Sequence, residues 1–185
     1  MDNLMQGFGV FLGVLAGTAV TILAGLFLQS RKQKQQEGNL RFEFELNIHR
    51  IDGWLEDLTR YRNAINGDAL HTFFGYFDLS KVIYPTANAM FLSGTLYKKL
   101  SLDQIGKLQV LFATFSLGGE QFMNNQMTKT KQAFEQCRSS NDMEPWTTEL
   151  KPEAVANVDF WEETFQEHRT TLDQIVQSLP STVSG

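Results

Sequence analysis

Apolar residues fill the chain from residue 4 to residue 28 almost without interruption, and beyond residue 39 they thin into three-and-four spacing that continues to residue 179. The first pattern predicts one helix that is apolar on every side, since a run of about 25 residues at ~1.5 Å rise covers a ~30 Å hydrocarbon layer. Gly9, Gly13, Gly17, Thr21 and Gly25 place a small residue at every fourth position of this run. Helices in lipid approach closely along such a ridge. Each step of four turns the ridge by about 40°, and Ala16, Ala19 and Ala24 widen it, so the pattern predicts a ring larger than a dimer. Glycine is also common in membrane helices generally, and that alternative stays open.

The second pattern predicts a bundle. Leu40, Phe44, Ile48, Ile51, Leu55, Leu58 and Ile65 read as a long amphipathic helix, capped at Asn39 and stopped at Gly67. Leu40, Phe42, Phe44, Leu46 and Ile48 also alternate with polar residues, a strand signature. Helix is preferred, because no second alternating run offers a partner. A short helix is expected over 68–75 and another over 85–100, with Pro85 in its first turn and Gly94 weakening it. Ser101 and Gln104 form a capping-box pattern before Ile105, Leu108, Leu111, Phe112 and Phe115. Gly118 and Gly119 should end or bend that helix, and a further one carries Phe122, Met123, Met127, Ala133, Phe134 and Cys137. The last helix is the clearest: Val158, Trp161, Phe165, His168, Leu172, Ile175 and Leu179 lie in phase between Pro152 and Pro180. That stripe suits a coiled-coil contact between subunits as well as a monomer core. The expectation is an all-α chain with a transmembrane anchor at 1–28 and a glutamine-rich basic stalk at 29–38. An oligomeric helical domain follows at 39–180, then a disordered tail at 181–185.

Charge sets the topology. Asp2 is the only charged side chain before the apolar run, and Arg31, Lys32 and Lys34 follow it, so the positive-inside rule places the C-terminal side in the cytoplasm and the N-terminus outside. There is no basic n-region and no small-x-small cleavage site, which favours an uncleaved, single-pass anchor in the cell inner membrane. Cys137 is the only cysteine, so neither an intrachain disulfide nor a cysteine-based zinc site can form.

Catalytic arrangements fail on inspection. The chain has no GxxxxGK[ST] loop, GxSxG elbow, HExxH or strand-linked GxGxxG. His49 and His71 stand at unrelated positions, His168 lies in an apolar stripe, and Glu162, Glu163 and Glu167 read as a solvated acidic face. A non-enzymatic protein without cofactor or metal is expected. Residues 142–173 carry nine acids against Lys151 and Arg169, whereas residues 81–138 carry seven basic residues against three acids. Lysines gathered in a cleft concentrate phosphate groups. Asn124 and Lys131 fall on one helix face with Thr128, and Asn125 and Lys129 on the adjacent one. With Lys98 and Lys99 these make the candidate ligand site: asparagine amides can pair with an adenine edge, lysines can neutralise phosphate, and Phe115, Phe122 or Tyr97 can stack on a base. A plain polar face explains the same residues.

In layout the chain resembles the membrane-anchored effectors of bacterial type III CRISPR defence. The resemblance rests on the ridge from Gly9 to Gly25, on Arg31-Lys32-Gln33-Lys34 and on a helical domain holding the lysine patch. It implies a homo-oligomer, a tetramer, that binds a cyclic oligoadenylate of the cyclic tetra-adenylate class and disrupts the lipid bilayer in antiviral defence. No duplex nucleic acid is expected as a partner. The alternative is an inner-membrane adaptor or assembly factor that docks a protein through the stripe at 158–179.

Overall fold

Helical periodicity governs residues 40–48: Leu40, Phe44 and Asn47 are fully buried while Phe42 is 64% exposed, so the period-two alternation yields to three-and-four spacing. The stretch belongs to α1 (Asp2–Asn66). This is a computed structural model, and it describes the backbone of residues 2–179 and the side chains of residues 20–179. Further helices are α2 (Pro85–Leu92), α3 (Leu102–Thr114), α4 (Leu117–Ser139) and α5 (Lys151–Ser178), joined by 3₁₀ turns and a π turn. No strand occurs among the described residues, and the fold is all-α.

The described residues fall into two units, one ending at Asn39 and the other Leu40–Leu179. In the first, every side chain over residues 20–35 is exposed. Val20, Ile22, Leu23, Leu26, Phe27 and Leu28 are among them, at 57% to 66%. The Arg31 guanidinium lies 4.8 Å from the centre of the Phe27 ring. Gly9, Gly13 and Gly17 belong to residues 1–19, whose side-chain surroundings lie outside the described residues. At Gly25 an added Cβ meets nothing within 4 Å. Among the described residues no helix is long and apolar enough to cross a membrane. Residues 4–19 of the predicted span, and the tail at 181–185, lie outside that description.

In the second unit two long seams meet. Leu40, Phe44, Asn47, Ile51, Trp54, Leu58, Tyr61 and Ile65 of α1 are all buried, at steps of four and three. Ala154, Val158, Trp161, Phe165, His168, Leu172, Ile175 and Leu179 of the α5 stretch repeat the rhythm. Such a/d spacing keeps one stripe facing a partner helix. The two run antiparallel: Arg41 donates to the Leu179 carbonyl at 2.7 Å, Arg169 pairs with Asp52, Arg62 with Asp159 and Glu162, and Lys151 with Asp68. The stripe at 158–179 is therefore packed inside its own domain. α3 closes the core, with Phe115 5.3 Å from Trp54 and 5.6 Å from Phe165 between ring centroids.

Four local expectations need correction. The helix expected over 68–75 is only a 3₁₀ turn, Leu70–Thr72. The helix expected over 85–100 stops at Leu92, because Gly94 takes a positive φ of 71° and turns the chain into the 3₁₀ turn Leu96–Lys98. Gly118 and Gly119 open α4 rather than ending α3, whose capping box at Ser101 and Gln104 is present. A Cβ at Gly119 would stand 1.9 Å from the Thr114 carbonyl oxygen, so the α3–α4 corner requires glycine. Finally, Asn39 caps no helix, since α1 runs through it from Asp2 to Asn66. The helix stops just before the expected Gly67, and Asp68 takes the left-handed conformation, with φ 51°. The bonds Ala69 N–H to Ala64 O at 2.8 Å and Asp68 N–H to Ile65 O at 3.2 Å make this a Schellman ending.

Two Glu-x-x-x-Asn pairs hold the long connection between α1 and α3. On α1, the Asn47 amide donates to the Ile83 carbonyl at 2.7 Å and accepts from the Ile83 N–H at 3.1 Å. Glu43 accepts from the N–H groups of Thr86 and Ala87 at 2.7 and 3.2 Å, which caps α2 from a distance. On α4, Asn124 does the same for Phe77, at 2.8 and 3.0 Å. Glu120 accepts from Tyr76 O–H at 2.6 Å and Ser80 N–H at 2.8 Å. Each pair satisfies buried main-chain groups that no sheet or helix serves.

Candidate functional site

The polar middle of α4 divides into three faces. Glu120, Asn124 and Lys131 turn to the connection just described, and Lys131 Nζ donates to the Phe73 carbonyl at 3.1 Å and lies 4.8 Å from the centre of the Phe74 ring. Asn125, Thr128 and Gln132 are exposed. Phe122, Gln126, Lys129, Thr130 and Ala133 form one wall of a cleft of about 390 Å³. Its other wall comes from the π turn and the start of α5: Trp146, Leu150, Glu153, Ala154 and Asn157.

The cleft wall is rigid where it meets the end of α1. Trp146 is fully buried, its ring edge-on to Phe134 at 5.0 Å, and its Nε1–H donates to Asp68 at 2.7 Å. Lys151 donates to the same carboxylate and to the Asn66 carbonyl, both at 2.9 Å. The Lys151 and Trp146 bonds hold the Asp68 carboxyl below the usual carboxylate range. Phe122 and Phe160, each 56% exposed, flank Trp161 at ring distances of 6.2 and 5.4 Å. Lys129 and Glu153 stand on opposite walls and belong to no ion pair among the described residues.

Adjoining the cleft is a small chamber of about 10 Å³, open on one side, that shares Gln126, Thr130, Ala154 and Asn157 with it and adds Tyr61, Met127, Val158 and Trp161. Gln126 Oε1 accepts from Trp161 Nε1–H at 3.0 Å, and Thr130 donates to the Gln126 carbonyl at 3.0 Å. The Tyr61 hydroxyl has no hydrogen-bond partner among the described residues: Thr130 is its polar neighbour, but the pair falls short of bonding geometry. Burial pushes the Tyr61 phenol up to about 12.

The structure divides the six expected ligand residues among different settings. Lys129 lines the cleft and Asn125 is exposed on the neighbouring face. Both amide atoms of Asn124 are engaged by the Phe77 main chain, the pairing it was expected to offer a base, and Lys131 is tied to Phe73. Lys98 is exposed in the 3₁₀ turn Leu96–Lys98, and Lys99 follows it, beside α2. Of the stacking candidates, Phe115 is buried in the core and Tyr97 packs edge-on to Phe91 at 5.8 Å, leaving Phe122 at the cleft. Sequence reasoning missed Tyr61, Glu153 and Asn157. Tyr61 had a signal, since it fills the step between Leu58 and Ile65. Among the described residues no group of three or more His, Cys, Asp or Glu comes together to hold a metal ion. The cleft offers donors, acceptors and aromatic faces, a chemistry of binding. No protein-family model, curated protein or solved structure matches this chain.

Proposed function

We propose that this chain is a non-enzymatic membrane effector. Its apolar N-terminal helix is a self-associating single span of the inner membrane, and its helical domain, in the cytoplasm, takes a small ligand in the α4–α5 cleft. Ligand binding changes how the spans associate and so disturbs the bilayer, as an antiviral effector would. The observation that carries this reading is the helix over residues 20–28, whose apolar side chains are exposed all round. A helix apolar on every face is covered by lipid or by other protein, because burying one such side chain is worth about 1.5–3 kcal/mol. Arg31, Lys32 and Lys34 on its C-terminal side support the orientation.

The ligand class is a nucleotide messenger of the cyclic tetra-adenylate type. Lys129 supports it as a phosphate contact and Phe122 as a stacking face on the same wall. Asn124 and Lys131 do not contribute, since the connection engages them. The adaptor alternative has lost its docking stripe to the domain core. The test is the melting temperature of the full chain in detergent micelles against linear and cyclic nucleotides. A ligand at 100-fold its Kd adds about 2.7 kcal/mol, a rise of several degrees. Cyclic tetra-adenylate should produce that rise and Lys129→Glu should cancel it; no rise with any nucleotide rejects the messenger. Recovery of the chain in the soluble fraction without detergent rejects the anchor.

A further inference from the structure

Tyr61 is a polar group that the packing does not explain. Its side chain is 3% exposed, at a seam position where phenylalanine would pack equally well, and its hydroxyl is unpaired beside the chamber adjoining the α4–α5 cleft. A buried hydroxyl without a partner is a net cost that a phenyl ring avoids. Asn157, which lines both chamber and cleft, has no side-chain partner among the described residues. We propose that the chamber is a recognition subsite for an uncharged hydrogen-bond acceptor, an amide carbonyl or a heterocyclic ring nitrogen, carried on a planar apolar body, with the Tyr61 hydroxyl as donor and the Asn157 amide beside it. This rests on the cleft being the ligand site of the function proposed above.

The geometry sets each part of that description. About 10 Å³ admits a group the size of one water molecule, so a single acceptor atom enters while the rest of the ligand stays in the cleft. The acceptor is uncharged because Met127, Val158 and Trp161 line the chamber and no cation does, whereas Lys129 belongs to the adjoining cleft. A carboxylate or phosphate oxygen would lose its hydration there with no cation to offset its charge. Phe122, 56% exposed, gives the cleft one flat apolar surface for the ligand body, with the aliphatic Leu150 on the opposite wall. With its phenol held up at about 12, Tyr61 remains a neutral donor throughout the physiological range.

The full chain in detergent micelles, melted with millimolar benzamide, adenosine or benzoate, tests the subsite. Benzamide or adenosine should raise the melting temperature and benzoate should not; a rise with benzamide alone identifies an amide carbonyl, and one with adenosine alone a ring nitrogen. Tyr61→Phe should melt at or above the wild type and need roughly ten times more probe for the same rise. A variant that melts clearly below the wild type overturns the proposal, because the hydroxyl is then bonded in the resting protein. An equal response of variant and wild type, a benzoate rise equal to that of benzamide, or no rise with either uncharged probe also overturns it. The messenger reading separates cleanly. A cyclic tetra-adenylate rise that is the same in both proteins leaves that reading standing and removes the subsite, whereas rises with the small probes and none with cyclic nucleotides do the reverse.

Discussion

A single asparagine at residue 47 shows how much one side chain can carry. It is fully buried, and both its amide groups serve the main chain of Ile83. Asn47→Ala leaves an N–H and a carbonyl without partners, so it should cost about 2–4 kcal/mol in urea unfolding, well above a surface substitution. His168 makes a different kind of prediction. Thr114 donates its hydroxyl to the Val110 carbonyl at 3.0 Å, so it accepts from His168 Nε2–H at 3.1 Å, and the ring is neutral. Burial lowers the His168 pKa from 6.5, a lowering that nearby Glu167 partly opposes. The unfolded chain then binds a proton more readily than the folded one. The contribution of His168 is intact above pH 6.5 and is lost progressively as pH falls below it. Unfolding midpoints at pH 7.5 and 5.5 should converge for His168→Gln and diverge for the wild type.

At the scale of elements, the α1 and α5 seams hold the domain together. Leu172→Ala, at a fully buried α5 position, should cost about 3 kcal/mol by transfer and cavity terms, read as a lower melting temperature. Gly119→Ala should cost about 2–3 kcal/mol through the clash at the α3–α4 corner, while Gly106→Ala, where an added Cβ meets nothing within 4 Å, should be neutral or stabilising. The helices were legible where a stripe ran long: Phe165 and Leu172 announce α5, and Ser101 with Gln104 announces the start of α3. Legibility failed between α1 and α3, where the chain follows main-chain bonds to Glu43, Asn47, Glu120 and Asn124 that act over 36 to 47 residues. Local spacing carries no record of such distances. The same cause misplaced part of the candidate site, because an asparagine in a polar helix reads as available until the segment it holds is known. Lys129, on the same helix, belongs to no hydrogen bond or ion pair among the described residues.

For the whole molecule, the proposed membrane helix and the proposed ligand cleft lie in separate units. Gly13→Ile with Gly17→Ile should reduce cross-linked oligomers in membranes; unaltered cross-linking would refute packing along the glycine ridge. The helical domain also has a consequence for how such a chain can change over generations. The connection between α1 and α3 is gripped by its backbone at Phe77, Ser80, Ile83, Thr86 and Ala87, and by core side chains such as Leu70, Phe77, Leu79 and Met90. A grip on peptide groups is indifferent to the side chains attached to them. Phe74, 86% exposed, can be exchanged without loosening it, whereas neither asparagine can. Relatives of this protein are expected to diversify at its exposed positions, Phe74 and Leu92 among them, while keeping the buried Phe77, Leu79 and Met90 and the two Glu-x-x-x-Asn pairs, which makes those exposed positions a natural place for grafting new recognition side chains.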